Sequence, residues 1–398
     1  MTNTFPLDGM RVLDLTQIMA GPFCTMLLAD MGADIIKIEK PKGGDDLRRV
    51  SPPAVNGEPA AFLAINRNKR SIVLDLKRKE GVEILRHMVG EADVLVQNFR
   101  PDALERIGLG YEDVRKLNPA LIYCNISGFG TTGPYGDRAG FDLIAQGMSG
   151  LMSVTGLPDS PPVKIGVPIT DLNAGMYAAY GILCAYINRL KTGVGQLVDT
   201  SLLEGGIAYT FWESTIFFAT GENPEPAGSA HRLSAPYQAF RTSDSHINIG
   251  AANQNNWERL CNAINRADLL EDRRFSSNAD RMQHLKELTV ILEEIFVCER
   301  TAHWLEILEK AGVPSGPIYN LSEVYSHPQV QARNMVVEIE HPTAGTVKNI
   351  GIPVKLSETP GAIRMPAPTL GQHTDELLVA FGYAEADIRR FRKNGVVG

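Results

Sequence analysis

Along its first third the chain alternates short apolar runs with amphipathic stretches. Residues 11–15, 34–39, 71–76, 93–97 and 121–127 are β-rich runs, and between them residues 23–30, closed by Gly32, and 80–90 carry helical spacing, with a short helix starting at Asp102. Strands that alternate with helices predict a mostly parallel, twisted sheet covered on both faces. In such sheets ligands lie beyond the carboxyl ends of the strands, which here means the loops opening at Gln17, Lys40 and Asn98.

The next long apolar stretch is residues 166–190, GVPITDLNAGMYAAYGILCAYINRL, in which Asn173 is the one strongly polar side chain between Leu172 and Ile187. A helix with no wet face predicts burial in a large core. Thr170 and Asp171 stand at its start, and either can cap it. Asp171 has a second reading, as a carboxylate kept ionised by the first-turn N–H groups and therefore able to act as a nucleophile. The local pattern leaves both open.

Residues 196–200 then predict a strand, with a helix from about Ser201. From Glu222 the texture changes. Residues 221–236 are rich in Pro, Gly and Ala and read as a linker. Strands at 239–241 and 247–252 and helices at 255–265, 281–296 and 302–311 predict a smaller α+β domain ending near Pro328. Residues 336–354 alternate like strands, and Thr374 is placed to cap a helix over 375–381. The domains are therefore read as 1–221, 222–328 and 329–398, the last returning to pack on the first.

Composition narrows the function classes. The 398 residues are 44% hydrophobic and 21% charged, as in ordinary globular proteins. A net charge of −7 disfavours nucleic acid, whose backbone demands a basic field. No apolar run reaches the roughly 20 residues of a membrane span, and MTNTFPLDGM lacks the layout of a signal peptide. The five scattered cysteines suggest neither disulfides nor a thiolate metal site, and imply a reducing cytoplasm. HExxH, GxSxG and P-loop patterns are absent, so no metal centre or serine nucleophile is predicted. After the first strand comes TQIMAGP rather than GxGxxG, against a nucleotide-dependent dehydrogenase. Basic residues gather at Lys40, Lys42, Arg48 and Arg49, and again at Arg67, Lys69, Arg70, Lys77, Arg78 and Lys79. They read either as cradles for the phosphates of a nucleotide-bearing ligand or as solvated surface.

Several strings, in order over almost the whole chain, resemble one family: LDGMRVLDLTQIMAGP, GADIIKIEKPKGGDDLR, NRNKRSIVLDLK, ADVLVQNFRPDALERIGLGYE, GFDLIAQGMSG, the 166–190 stretch, TGVGQLVDTSLLEG, GVPSGPI and LGQHTDELL. These are similar to the family III coenzyme A transferases, or CaiB/BaiF family, of the formyl-CoA transferase type. The resemblance implies a Rossmann-like large domain whose parallel sheet is built from both chain ends, a small domain between them, and an interlocked homodimer. It implies Asp171 as catalytic nucleophile and CoA contacts at Met19, Ala20, Lys40, Leu74, Lys77, Asn98, Phe99, Arg106 and Arg138. Lys40 and Arg106 would meet phosphate. CoA and its thioesters are then substrates, with no tightly bound cofactor, and the partners are an acyl-CoA donor and a small carboxylic acid. The family's glycine-rich lid corresponds here to GAANQNN, residues 250–256, which departs from it.

Two relatives of the fold compete with this reading. A 2-methylacyl-CoA racemase needs an acid/base pair, and members resembling this chain carry His in a Gly-His-Asp motif. Here the motif is Gly140-Phe141-Asp142, and phenylalanine carries no proton. A non-catalytic CoA-binding protein would have no use for Asp171. Asp142 itself reads as a carboxylate that positions the Asp171 region or as an ordinary structural hydrogen-bonding group.

Overall fold

The computed structural model describes residues 5–398. The chain divides into two compact units, one of residues 1–152, 164–221 and 328–398, the other of residues 153–163 and 222–327.

The first unit is built on six parallel strands, β1 (Arg11–Asp14), β2 (Asp34–Glu39), β3 (Lys69–Val73), β4 (Val94–Gln97), β5 (Ile122–Ser127) and β6 (Leu197–Ser201), in the order β3-β2-β1-β4-β5-β6. Alternate side chains serve opposite faces, as the two-residue repeat of a strand dictates. Val12, Ile35, Val94, Ile122 and Cys124 pack on one face with helices α1 (Ala20–Asp30) and α5 (Ile169–Thr192). Leu13, Ile36, Leu95 and Tyr123 pack on the other with α2 (Lys79–Gly90) and the C-terminal helices α11 (Thr374–Ala380) and α12 (Glu385–Lys393). Both faces are thus dry over β1–β5, which is why these strands read as mostly apolar runs, while β6 at the sheet edge leaves Leu197 and Asp199 exposed. The numbering leaves α3 for Tyr111–Leu117, α4 for Asp142–Met148, α6 for Leu202–Tyr209 and α7 for Phe211–Thr220.

Four expectations about this unit are corrected. The return segment adds no strand to the six-stranded sheet; beyond its helices it contributes one antiparallel bridge, Val397 to Leu74. Thr374 caps nothing: it opens α11, and its Oγ1 accepts a hydrogen bond from the Val73 N–H at 3.2 Å. The run Arg67, Lys69 and Arg70 is structural, because each side chain is spent on a carboxylate, Asp30, Asp14 and Asp34 respectively. Finally, α5 is not buried all round. Ala174, Gly175, Ala178, Ala179, Ile182 and Ala185 form its buried stripe, but Met176, Tyr177, Tyr180, Ile187 and Leu190 are exposed, Leu190 to 70%. Its apolar sequence therefore lines an exposed face as well as the buried stripe.

Small residues set how closely α1 and α5 approach. A Cβ on Gly175 would stand 2.5 Å from the Ala20 carbonyl oxygen, so only glycine lets the two helices meet there. Gly175→Val is expected to cost about 1–3 kcal/mol by overpacking, read by denaturant unfolding, and to lower kcat by pushing the first turn of α1 away.

The second unit has an antiparallel sheet of β7 (Tyr237–Arg241), β8 (His246–Gly250) and β9 (Ser315–Pro317), in the order β9-β8-β7. It packs with α8 (Gln254–Ala263), α9 (Leu285–Phe296) and α10 (Thr301–Lys310) around Phe240, Trp257, Leu260, Leu292, Phe296 and Leu308. The helix expected over 281–296 is broken at His284, and a separate turn over Asn278–Gln283 starts from a capping box between Ser277 and Asp280. The GAANQNN stretch runs from the end of β8 into Asn253, whose side chain caps α8 by accepting from the Asn256 N–H at 2.8 Å. In the first unit a further hairpin, β10 (Val336–His341) and β11 (Gly345–Ile350), fills the return segment. Among the described residues no helix is long and apolar enough to cross a membrane.

Candidate active site

The strand order reverses between β1 and β4, and in doubly wound sheets the crevice at that reversal is where ligands sit. Here the loops after these two strands are tied together. The Gln17 N–H donates to Asn98 Oδ1 at 2.9 Å, and Asn98 Nδ2 donates to the Gln17 carbonyl at 2.8 Å. Asn98 therefore does more than turn the chain.

From below, Lys37 Nζ donates to the Thr16 carbonyl at 2.9 Å and pairs with Asp45, also at 2.9 Å, both side chains being buried. Asp45 Oδ1 in turn accepts from the Ile18 N–H at 3.0 Å. Ile18 sits at φ +70°, a region that β-branched residues rarely occupy and that persists only where the surroundings impose it. The strained turn aims the chain into the first turn of α1.

Two cavities open at these strand ends. One, of about 170 Å³, is lined by Lys40, Leu74, Lys77 and Phe99. The other, of about 420 Å³, is lined by Met19, Ala20, Asn98, Phe99, Arg138 and Asp171. Gln17 and Phe99 line both, so the two adjoin. The structure thus gathers nearly all the residues expected to contact ligand. Arg106, on the 3₁₀ turn Glu105–Ile107, lines neither cavity. Arg100 and Asp46, which sequence reasoning did not single out as ligand contacts, line the larger one.

Asp171 is not a cap. The residue before α5 is Pro168, with no side-chain cap, and the place of a cap is taken from outside the helix by Asp142. Asp142 Oδ1 accepts from the Thr170 N–H at 3.0 Å and from Thr170 Oγ1 at 2.8 Å, while Oδ2 accepts from Gln146 Nε2 at 2.8 Å. Gln146, fully buried, uses its Oε1 to accept from the Ile165 N–H at 2.8 Å, fixing the approach to the helix. Asp142 reaches this place because Gly128 and Gly140 touch backbone to backbone. A Cβ on either would lie 2.6 Å from the other's Cα.

No hydrogen bond reaches the Asp171 carboxylate among the described residues, and it faces the larger cavity. Its pKa is pushed up to about 7, first by burial and then by the charge of Asp142. This corrects the expectation that the helix start holds it ionised: the nearest dipole ends are spent on Asp142, and desolvation wins. A carboxylate of raised pKa is a stronger nucleophile once deprotonated. Phe141 lines the same cavity and offers no proton, which leaves a two-base exchange without its partner.

The positive residues of the first cluster divide. Arg48 is bound to buried Glu39 by two bonds of 2.7 Å and belongs to the fold. Lys40 and Arg49 remain at the surface, where both pair with Asp46.

Comparison with known proteins places this arrangement. The sequence model described as CoA-transferase family III matches residues 7–374. The chain is 41% identical to succinyl-CoA:glutarate CoA-transferase of Homo sapiens over 378 residues, covering 95% of this chain and 86% of that protein. It is 40% identical to acetyl-CoA:oxalate CoA-transferase of Acetobacter aceti, over 90% of this chain and 93% of the other. A crystal structure of a CaiB/BaiF family protein from Brucella suis superposes with a TM-score of 0.85 at 38% identity, covering 95% of this chain and 99% of that one. With its family model matched almost end to end, its relatives named for CoA transfer and its fold shared, this chain belongs to CoA-transferase family III and is a CoA-transferase.

Proposed function

We propose that this enzyme moves CoA between short dicarboxylic acids through covalent intermediates on Asp171. The observation that carries the reading is the unbonded Asp171 carboxyl facing a cavity that adjoins a second one lined by Lys40 and Lys77. Relatives are named for succinyl-CoA with glutarate and with D-citramalate, and for acetyl-CoA with oxalate. In each the acceptor is a dicarboxylic acid, and the same class suits a cavity that presents Arg100 and Arg138 beside Asp171.

Asp171 attacks the thioester carbonyl of the donor, forming a mixed anhydride and expelling CoA thiolate. The thiolate attacks the aspartyl carbonyl of that anhydride, giving an aspartyl-CoA thioester and releasing the donor acid. The acceptor carboxylate attacks this thioester, expelling CoA thiolate again and forming a second anhydride. Attack of the thiolate on the acceptor's acyl carbon then yields the new acyl-CoA and returns Asp171 as carboxylate. Backbone N–H groups are the expected oxyanion partners. Water would hydrolyse both anhydrides, so the working site is closed.

CoA contacts are read at Met19, Ala20, Lys40, Leu74, Lys77, Asn98, Phe99 and Arg138, with Arg106 outside the cavities a weaker member of the set. We read residues 1–221 and 329–398 as the CoA-binding domain and 222–328 as the linker and small domain. A homodimer is supported by two exposed apolar faces: α7 buries none of its residues, with Phe211 75% and Phe218 82% exposed, and α5 exposes Met176, Tyr177, Tyr180, Ile187 and Leu190.

The test is a panel of free acids offered with succinyl-CoA, with product acyl-CoAs read by mass. Transfer to glutarate or another short dicarboxylate is expected. Absence of transfer to every acid, from an enzyme that binds CoA, would sink the proposal.

A further inference from the structure

The sequence GGDDLRR folds as a 3₁₀ turn over Asp46–Arg49, capped by Asp45, which accepts from the Leu47 N–H. Three residues per turn stack positions i and i+3, so the turn carries two Asp–Arg pairs on different sides. Asp45 and Arg48 point inward and are consumed by buried Lys37 and Glu39. Asp46 and Arg49 point outward.

On that outer side one carboxylate oxygen serves two cations. Asp46 Oδ1 accepts from Lys40 Nζ at 2.5 Å and from the Arg49 guanidinium. All three side chains are accessible, at 44% for Lys40, 44% for Asp46 and 63% for Arg49. Lys40 lines the smaller cavity and Asp46 the larger, so this pair stands where the two adjoin, and Arg49, which lines neither, is held beside them by Asp46. The carboxylates that line the smaller cavity have different commitments: Asp45 to buried Lys37, Glu39 to Arg48, and Asp75 to Arg78. Lys40 and Arg49 hold the Asp46 carboxyl below its usual range, so it is an anion at neutral pH.

We propose that Asp46 is a stand-in anion, which occupies Lys40 and Arg49 in the empty enzyme and yields them to the phosphates of CoA, thereby weakening CoA binding and hastening its release. The inference rests on the reading of these cavities as the CoA site. Exposed ion pairs are weak, so a phosphate carrying more charge displaces the carboxylate at little cost. The displaced carboxylate remains nearby and repels the bound phosphates, which raises the dissociation rate. A cycle that must discharge a new acyl-CoA at each turnover benefits from such opposition, because release often limits kcat.

The experiment compares CoA and dephospho-CoA binding by calorimetry in wild type, Asp46→Asn and Arg49→Gln, with the melting temperature as a check on folding. Asp46→Asn is expected to bind CoA about five- to tenfold more tightly, with a steeper loss of affinity as NaCl rises, because Lys40 and Arg49 then face phosphate without the opposing carboxylate charge. Arg49→Gln is expected to bind severalfold more weakly. A gain shared by dephospho-CoA identifies the pyrophosphate as the displacing group, and a gain confined to CoA identifies the 3′-phosphate. Unchanged or weakened CoA binding in Asp46→Asn overturns the inference, since Asp46 would then orient Lys40 or do nothing. Failure of the wild type to bind CoA counts against the CoA reading of the cavities instead.

Discussion

Asp171→Asn is expected to bind CoA normally yet lose acyl transfer by at least about a thousandfold, because an amide cannot form the anhydride. Wild-type enzyme given acyl-CoA should yield a CoA-sized mass adduct on the peptide containing Asp171, absent from the variant. Normal transfer by the variant would remove Asp171 from the chemistry. The same substitution should stabilise the fold at neutral pH. Asp171 has a folded-state pKa of about 7 against an ordinary value of 3.8. A carboxyl raised in this way favours the folded state fully below pH 4, and the contribution is lost as the pH rises through 7. Wild type and Asp171→Asn should therefore melt alike near pH 4 and diverge up to about pH 7, the variant gaining about 2 kcal/mol, less than the full shift because the cavity is open to solvent. Equal melting at every pH would show that the carboxyl is not desolvated.

Asp142→Asn tests the second carboxylate. Asparagine still offers an oxygen to Thr170, but its NH₂ would oppose Gln146 Nε2, whose own Oε1 is held by the Ile165 N–H. That conflict should cost about 1–2 kcal/mol of stability. Loss of the Asp142 charge removes the second cause of the raised Asp171 pKa while burial remains. The acid limb of kcat/KM, expected near pH 7 in wild type, should move down by about one unit. A role confined to folding would lower the melting temperature and leave that limb in place. A moved limb would mark Asp142 as a positioning residue, acting through Thr170 and through its field on Asp171.

The sheet was legible in the chain because β1–β5 are covered on both faces and read as short, mostly apolar runs, while the edge strand β6 follows a Gly turn. Boundaries moved by a few residues, as at β3, where buried Lys69 and half-buried Arg70 disguise the start of a strand whose cations are neutralised by Asp14 and Asp34. The site loops were equally legible, since Gln17, Lys40 and Asn98 each follow a strand. What escaped was the division of like residues into unlike roles. Arg48 and Arg49 are neighbours, yet one is locked inside on Glu39 and the other meets Asp46 at the surface. Asp45 and Asp46 differ in the same way.

By itself the sequence determined the α/β architecture, the order of its main elements and the family, because each rests on local periodicity or on contiguous motifs, and through the family resemblance it singled out Asp171 as the candidate nucleophile. Only the tertiary structure decided the state of that carboxyl. The helix start that looked able to keep Asp171 ionised is capped instead by Asp142, a residue distant in the chain, and burial then raises its pKa to about 7. Whether a carboxylate is charged depends on which N–H groups and charges surround it in space, and no local pattern records that.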